Sequence, residues 1–323
     1  MNDEFAQVLT SKFNKNDIII VTGGSGFIGS HIVDVLADHV NVIVVDNFSY
    51  GQYKRNDVKY LNLDITNSDS LKELYSLTNI KAIFHFAALA SVKESNEQPE
   101  RYVSTNVLGT LNMLNVAKYF NADFVFASSS TVYGNAHIIP TPEVAPLLPV
   151  SVYGATKVSA ESLINAYSNM NDIRSTIVRF ANIFGERSIR GVIYDFFIKL
   201  MKNPNKLRIL GNGNQMKSYL YISDAINAIF TAYLKQSILF DVFNVGSKEQ
   251  HSVNEIAKLI SKELNLNPSF EYTGGNIGWS GDVPKMFLDT SKLELLGWKQ
   301  RVPFEEGIHR YISYLKDNLH EIN

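Results

Sequence analysis

The first half of the chain alternates short, almost uninterrupted apolar runs with longer stretches in which apolar residues recur at helical spacing. The runs are IIIVTGG (18–24), NVIVVD (41–46), VKYLNLD (58–64), AIFHFA (82–87), DFVFASS (123–129) and STIVRFANIFG (175–185). A strand with one face in water alternates apolar and polar residues, whereas a strand covered on both faces has no polar side to show. The runs therefore predict a parallel sheet buried between helices, wound by right-handed crossovers into a doubly wound α/β architecture.

Beyond residue 185 the pattern loosens. Helical stretches near 191–203, 223–236 and 252–264 mix with short strands and a glycine-rich loop, TGGNIGWSGD (273–282). The expected organisation is a first domain over 1–182 and a smaller mixed α/β domain over 183–323. Residues near 220–248, including FNVG (243–246), are expected to return to the first sheet. The proline-spaced stretch 137–149 reads as a loop that shapes a site. Phe5, Val8, Leu9 and Phe13 predict the apolar stripe of a short N-terminal helix packed on the domain.

Composition narrows the classes. The chain has 323 residues, 45% of them hydrophobic, enough for two domains with sizeable cores. A formal net charge of −2 supplies no field for nucleic acid or an anionic membrane. No window reaches roughly 18 uninterrupted apolar residues, so no membrane-spanning helix is expected. The N-terminus carries Asp3 and Glu4 and lacks an apolar signal core, so a cytoplasmic protein is expected. Cysteine is absent, which excludes disulfides, thiolate catalysis and cysteine-bound zinc. The seven histidines form no His-x-x-x-His pair, so no metal site is expected.

Thr22-Gly23-Gly24-Ser25-Gly26-Phe27-Ile28-Gly29 follows the first strand and opens the first helix. Glycine lets the backbone turn tightly and approach a pyrophosphate, and the helix N-terminus offers N–H groups to the phosphates. Asp46, at the tip of the second strand, is then placed to accept both ribose hydroxyls and to repel a 2′-phosphate, which favours NAD over NADP. Without the turn it would read as a solvated strand end. Lys54 and Arg55 lie further along that loop, where a 2′-phosphate would meet them. Asp64, ending the third strand, reads either as a contact to adenine or as a helix N-cap. The first domain is thus expected to be a Rossmann-type dinucleotide fold.

Tyr153 and Lys157 lie four residues apart, on one face of a helix. A free phenol has a pKa of about 10, so tyrosine acts as a base near neutrality only if a cation stabilises the phenolate. Lys157 supplies that cation. Ser128-Ser129-Ser130 ends the fifth strand at the carboxyl edge of the sheet, where a hydroxyl either holds a reacting oxygen or caps the next turn. There is no Gly-x-Ser-x-Gly elbow, so hydrolase chemistry is not expected. His85, inside an apolar strand, reads as a satisfied core residue.

With TGGSGFIGSH, DNFSYG, HFAALASVKES, NVLGTLNML, SSSTVYG, YGATK, VRFANIFG, SVNEIAKLI and GDVPKMFLD in this order, the chain resembles the extended short-chain dehydrogenase/reductase superfamily. Within it the likeness is to nucleotide-sugar 4-epimerases of the UDP-glucose/UDP-galactose type, and it runs from Asp17 to about Tyr314. The resemblance implies that Ser129, Tyr153 and Lys157 are catalytic. It implies NAD held by Gly23, Gly26, Phe27, Ile28, Gly29, Asp46, Asn47, Asp64, Ile65, Phe86, Ala87, Ala88 and Asn106, with Tyr153 and Lys157. It places Ser129, Ser130, Asn182, Val192, Lys217, Trp279 and Asp282 against a nucleotide-sugar substrate. A homodimer is implied as well, through helices near 99–120 and 154–170.

The implied reaction removes hydride from the sugar C4 and returns it to the opposite face through a transient 4-keto sugar. Dehydratases and decarboxylating synthases of the superfamily carry acids just after the catalytic hydroxyl, where this chain has Ser130 and Thr131. The 3,5-epimerising relatives use a cysteine. Two family arginines that clamp the nucleotide diphosphate are replaced, one within the stretch holding Lys217 and Ser218, the other by Trp279. Lysine is a point charge without arginine's planar fork. Arg187 and Arg190 are the nearby candidates to compensate, and Met286 falls where the family gates room for an N-acetyl group. The alternatives are an NAD-dependent dehydrogenase or reductase of another sugar or small hydroxy substrate, and a non-catalytic NAD-binding regulator.

Overall fold

The computed structural model describes residues 3–275, 283 and 285–319. Helix α1 (Asp3–Lys12) precedes β1 (Ile18–Thr22), α2 (Phe27–Ala37), β2 (Asn41–Asp46), β3 (Lys59–Asn62) and β4 (Ile80–His85). Two short helices, α3 (Val92–Glu97) and α4 (Pro99–Val103), lead into α5 (Gly109–Phe120), β5 (Asp123–Ser129), α6 (Val152–Asn171) and β6 (Ser175–Phe180). There follow β7 (Asn182–Phe184), α7 (Val192–Lys202), β8 (Lys206–Ile209), β9 (Met216–Tyr221), α8 (Ile222–Lys235) and β10 (Phe240–Val245). The last elements are β11 (Gln250–Ser252), α9 (Val253–Glu263), β12 (Ser269–Tyr272), β13 (Lys285–Met286), α10 (Ser291–Leu295) and α11 (Phe304–Asp317).

Seven strands form one parallel sheet in the order β10-β6-β5-β4-β1-β2-β3. Its central strands are mostly apolar because they feed two cores. Ile19 and Val21 of β1, with Val42 and Val44 of β2, enter the core shared with α2, α7, α8 and α11. Ile18, Ile20, Ile43 and Val45 enter the core on the other face, closed by Met113 and Leu114 of α5 and Ala160 and Ile164 of α6. Each fully buried aliphatic side chain contributes about 1.5–3 kcal/mol, so the sheet is a rigid base for whatever stands at its carboxyl edge.

The run 175–185 is two strands rather than one. Ala181 still donates its N–H to the Val245 carbonyl at 2.8 Å, and the next residue leaves the large sheet. Asn182 pairs instead with Tyr219, so β7 joins β9 in a second sheet with β11 and β13. Strand β10 lies at the edge of the large sheet beside β6. In α1, Leu9 packs into the core, with Phe13 just beyond the helix, while Val8 is exposed; the Phe5 side chain lies outside what is described. Among the described residues, no helix is long and apolar enough to cross a membrane.

Candidate active site

Strand β1 ends because Gly23 adopts φ +69°, a left-handed conformation that glycine takes without strain. A Cβ there would lie 2.6 Å from the Ala87 nitrogen, and one on Gly29 would lie 2.1 Å from the Gly23 oxygen. The turn is thus folded tightly on itself and on the exit of β4. Gly26 caps α2 without any side-chain hydrogen bond, so no cap competes for the N–H groups of the first helical turn. The Ser25 hydroxyl is buried there with no hydrogen-bond partner among the described residues. A tight glycine cradle, an uncapped helix start and an orphaned hydroxyl fit a bound pyrophosphate. Phe27 and Ile28 open α2 and pack on the core.

A cleft of about 360 Å³ runs from this turn along the carboxyl edge of the sheet. Of the residues that the resemblance assigns to NAD, Gly23, Gly26, Asp46, Asn47, Asp64, Ile65, Phe86, Ala87 and Ala88 line it. Asp46 accepts from the Ser25 N–H at 3.0 Å and the Phe48 N–H at 2.8 Å. Burial raises its pKa above the ordinary carboxylate value, against the pull of those two bonds and of Lys54. Asp64 both lines the cleft and caps the turn after β3, accepting from the Thr66 N–H at 2.8 Å and from Asn47 Nδ2 at 3.0 Å. Burial works to raise its pKa, but the bonds from Thr66 and Asn47 outweigh it and hold it low.

The two cations beyond Asp46 are already engaged. Arg55 pairs with Asp38 at 2.9 Å and Asp57 at 2.7 Å, and Lys54 sits 3.9 Å from the centroid of the Phe48 ring. The cleft therefore offers Asp46 to a ribose and no free guanidinium from Arg55 to a 2′-phosphate. Tyr50, Gly51, Arg101, Ser104 and Thr105 also line the cleft and were not anticipated. The available signal was Gly51, whose Cβ would fall 2.1 Å from the Ser25 oxygen because the loop after β2 lies on the glycine turn.

Tyr153 stands in the first turn of α6. Ser151 caps that helix by accepting from the Gly154 N–H at 3.1 Å, and Ser95 Oγ of α3 accepts from the Tyr153 N–H at 3.0 Å. Two independent anchors fix where the phenol points. Burial pushes the phenol up to about 12, the Ser129 side chain hydrogen-bonded to it draws it down, and Tyr102 pushes it up further. One turn later, Lys157 Nζ donates to the Ala127 carbonyl at 2.8 Å and lies 5.9 Å from the centroid of the Tyr153 ring. Burial pushes this ammonium down to about 7, while Glu161 pulls it back up.

Ser129 does two things at once. Its hydroxyl caps the following turn, accepting from the Thr131 N–H at 3.3 Å and the Thr131 hydroxyl at 3.1 Å, and it also reaches the Tyr153 phenol. Ser128 faces the other way, onto Glu161 at 2.5 Å, as strand alternation requires. Ser130 is buried and opens the turn Ser130–Tyr133.

Asn106 sits in a π-helical turn, Ser104–Leu108, between α4 and α5. Its amide is used up: Oδ1 accepts from the Leu89 N–H at 2.9 Å, and Nδ2 donates to the Leu89 carbonyl and to Thr156 Oγ1, both at 3.0 Å. Thr156 in turn donates to the Tyr153 carbonyl at 2.7 Å. The residue expected to line the cofactor cleft thus stands behind its wall, bracing the loop after β4 against α6. His85 is a satisfied core residue. Thr110 spends its proton on the Asn106 carbonyl at 2.6 Å, so His85 Nε2 donates to Thr110 at 3.1 Å and Nδ1 accepts from Thr22 at 2.7 Å. Burial and Lys157 push its pKa down to about 3, keeping it neutral.

On the other side of Tyr153, Asn182 Nδ2 donates to the Ser218 carbonyl at 3.0 Å. Lys217 lies in β9 between His251 of β11 and Met286 of β13, its register partners. Val192 opens α7 after Gly191, at φ +91°. Trp279 and Asp282 lie outside the described residues. Arg187 is committed to Asp34 of α2 at 2.7 Å and lies 3.6 Å from the Tyr53 ring centroid, and Arg190 lies over Tyr50 at 4.9 Å. Both side chains therefore turn toward the dinucleotide half, which corrects the expectation that they replace the missing clamp. The loop over 137–149 is tied at Thr141, whose N–H donates to the Phe287 carbonyl at 2.8 Å. Among the described residues, no group of three His, Asp or Glu is arranged to hold a metal.

A doubly wound sheet, an uncapped glycine turn with an acidic strand end beside it, and a buried Tyr–Lys pair with a half-buried Ser129 at the same edge define a dinucleotide-dependent redox enzyme. The chain belongs to the NAD dependent epimerase/dehydratase family, whose model matches residues 19–246. It is 35% identical to a putative UDP-glucose 4-epimerase of Methanocaldococcus jannaschii, over 93% of this chain and 99% of that one. A crystal structure of a UDP-galactose 4-epimerase superposes with a TM-score of 0.85 at 37% identity, covering 94% of this chain and 99% of the other. The Thermotoga maritima UDP-glucose 4-epimerase, solved with UDP-glucose, superposes with a TM-score of 0.88 at 31% identity, again over 94% and 99%. Other relatives are named UDP-glucuronic acid decarboxylase and dTDP-D-glucose 4,6-dehydratase, and a Thermus thermophilus UDP-glucose 4-epimerase was solved in complex with NAD. NAD is the cofactor of this family and of this chain.

Proposed function

We propose that this protein inverts C4 of a nucleotide-diphosphate sugar, with UDP-glucose and UDP-galactose as the substrate pair. The observation that carries the reading is the buried Tyr153–Lys157 pair joined by the half-buried Ser129 at the sheet edge that carries the dinucleotide cleft, with Ser130 and Thr131 where an eliminating enzyme needs acids. The names of the similar epimerases support it.

Bound NAD supplies the hydride acceptor and donor at C4, a chemistry no side chain provides. Tyr153 takes the proton of the 4-hydroxyl and later returns it. Ser129 holds the same oxygen through the hydroxyl that already reaches the phenol. Lys157 keeps positive charge near the ring, which lowers the cost of a phenolate in a site whose burial opposes one. Asp46 and Asp64 hold the adenosine half of the cofactor, and Gly23, Gly26 and Gly29 give its pyrophosphate access to α2. Asn182 and Lys217 contact the substrate from β7 and β9, in the part of the chain after residue 182 that we assign to substrate binding. Exposed Val103, Leu108 and Tyr119 on and between α4 and α5 support a homodimer through that face.

The test is product identification by mass spectrometry and chromatography after incubation with UDP-glucose or UDP-galactose and no added reductant. Interconversion is expected, and Tyr153→Phe is expected to lower its rate by about 10²–10⁴-fold while still binding NAD. Stoichiometric consumption of a nicotinamide cofactor would replace this reading with a reductase.

A further inference from the structure

Lys157 is a buried cation with little to hold its charge. On its own helix it faces Tyr153 one turn before and Glu161 one turn after. From β4 it meets the neutral His85, and from β5 the Ala127 carbonyl and the Phe126 ring, 4.7 Å to the centroid. From β6 comes Arg179, behind Glu161. The one anion in this set is Glu161.

That carboxylate is held back. Arg179 Nη2 donates to it at 2.6 Å and Nε at 3.0 Å, and the Ser128 hydroxyl donates at 2.5 Å. Arg179 is itself locked by donating to the Tyr133 hydroxyl at 2.8 Å and the Glu143 carbonyl at 2.9 Å. A free glutamate one turn from a lysine swings over and pairs with it, drawing the ammonium away from the phenol. Here three donors on β5 and β6 prevent this, so Lys157 stays on Ala127 and toward the Tyr153 ring.

We propose that Glu161, clamped by Arg179 and Ser128, is a positioning residue that keeps Lys157 cationic near neutral pH without touching the reacting atoms. The ion pair thus does more than fill the space behind the helix: its carboxylate stands one helical turn from Lys157, on the same face, and bears on the charge that Tyr153 depends on. This rests on the acid–base roles proposed for Tyr153 and Lys157. Burial alone takes Lys157 down, and Glu161 is what opposes it.

The test is an NMR titration of the Lys157 ammonium in protein carrying isotopically labelled lysine, assigned with Lys157→Met, for the wild type and Glu161→Gln. The amide keeps the shape and removes the charge. A fall of about one pH unit in the Lys157 midpoint is expected; from a midpoint of about 7, the cationic fraction at neutral pH drops about fivefold. The alkaline limb of kcat is expected to move the same way with KM for the sugar nucleotide unchanged, which a packing defect would not produce. Should Glu161→Gln fail to fold, the double variant Glu161→Met/Arg179→Met replaces the pair by apolar volume, a swap buried pairs tolerate, and its midpoint is read against that of Arg179→Met, so that the two proteins differ only at residue 161. An unmoved Lys157 midpoint in a folded variant overturns the proposal. Full activity in Lys157→Met would instead overturn the catalytic assignment, independently of that result.

Discussion

Asn106 should be worth more to this enzyme than its place behind the cleft suggests. Replacing it with leucine keeps the volume and removes its side-chain bonds, leaving the one that Thr110 makes to its main-chain carbonyl. The Leu89 N–H and carbonyl, both buried and bonded at 2.9 and 3.0 Å, then lose these partners. Thr156 loses a donor at 3.0 Å but keeps its own bond to the Tyr153 carbonyl. A buried group without its partner costs about 1–3 kcal/mol, so the first two give about 2–6 kcal/mol of destabilisation. The catalytic effect follows from the same bonds, because Asn106 braces the first turn of α6. A phenol displaced by a fraction of an ångström reacts from a poorer geometry, so kcat is expected to fall about 10–100-fold with KM changed little. Urea unfolding followed by circular dichroism, together with steady-state kinetics of sugar interconversion, measures both quantities. An unfolding midpoint and a kcat both equal to wild type would show that the brace does not position Tyr153.

Two further outcomes follow from charges already placed. Asp46→Ser removes the charge that repels a 2′-phosphate; the preference for NAD over NADP, measured by calorimetry, is expected to fall at least about tenfold, and an unchanged ratio would refute the role of the carboxylate. Lys157 binds a proton up to its ordinary pKa of 10.5 when unfolded but releases it near 7 when folded, so unfolding takes up a proton between those values. Stability should therefore rise with pH across that window, by at most about 1.4 kcal/mol per pH unit; Lys157→Met should flatten the rise in urea titrations, and an equal slope in both proteins would contradict it.

The parts of this molecule legible in the sequence are those with a local signature. A strand feeding two cores is apolar at successive interior positions, so the runs around 18–24 and 41–46 announce a sheet covered on both faces. The glycine turn and the Tyr153–Lys157 spacing are likewise contained in a few neighbouring residues. What stayed hidden depends on partners far apart in the chain. Glu161 looks like an ordinary surface charge of a helix, and Arg179 is a charge within a buried run with no partner in sight, until β6 is laid beside β5 and the two pair. Arg187 and Arg190 lie close in sequence to Asn182, yet the left-handed conformation of Arg187, at φ 66°, and the stacking on Tyr53 and Tyr50 turn them toward the other half. The π-helical turn that sets Asn106 back from the cleft has no composition of its own. The break between β6 and β7 is set by which neighbour each segment pairs with, and an unbroken apolar run carries no mark of it.

The position of β10 at the margin of the large sheet has a meaning for how the polypeptide is made. Until 240–245 has left the ribosome, the flank of β6 is a row of unsatisfied amides and carbonyls on a strand that is buried along its whole length in the finished fold, the kind of surface that recruits other chains. A shortened product ending soon after β6 would carry the glycine turn, Tyr153 and Lys157 and still present that sticky flank. Synthesis of the later segments is thus also what seals the half of the molecule that was made first.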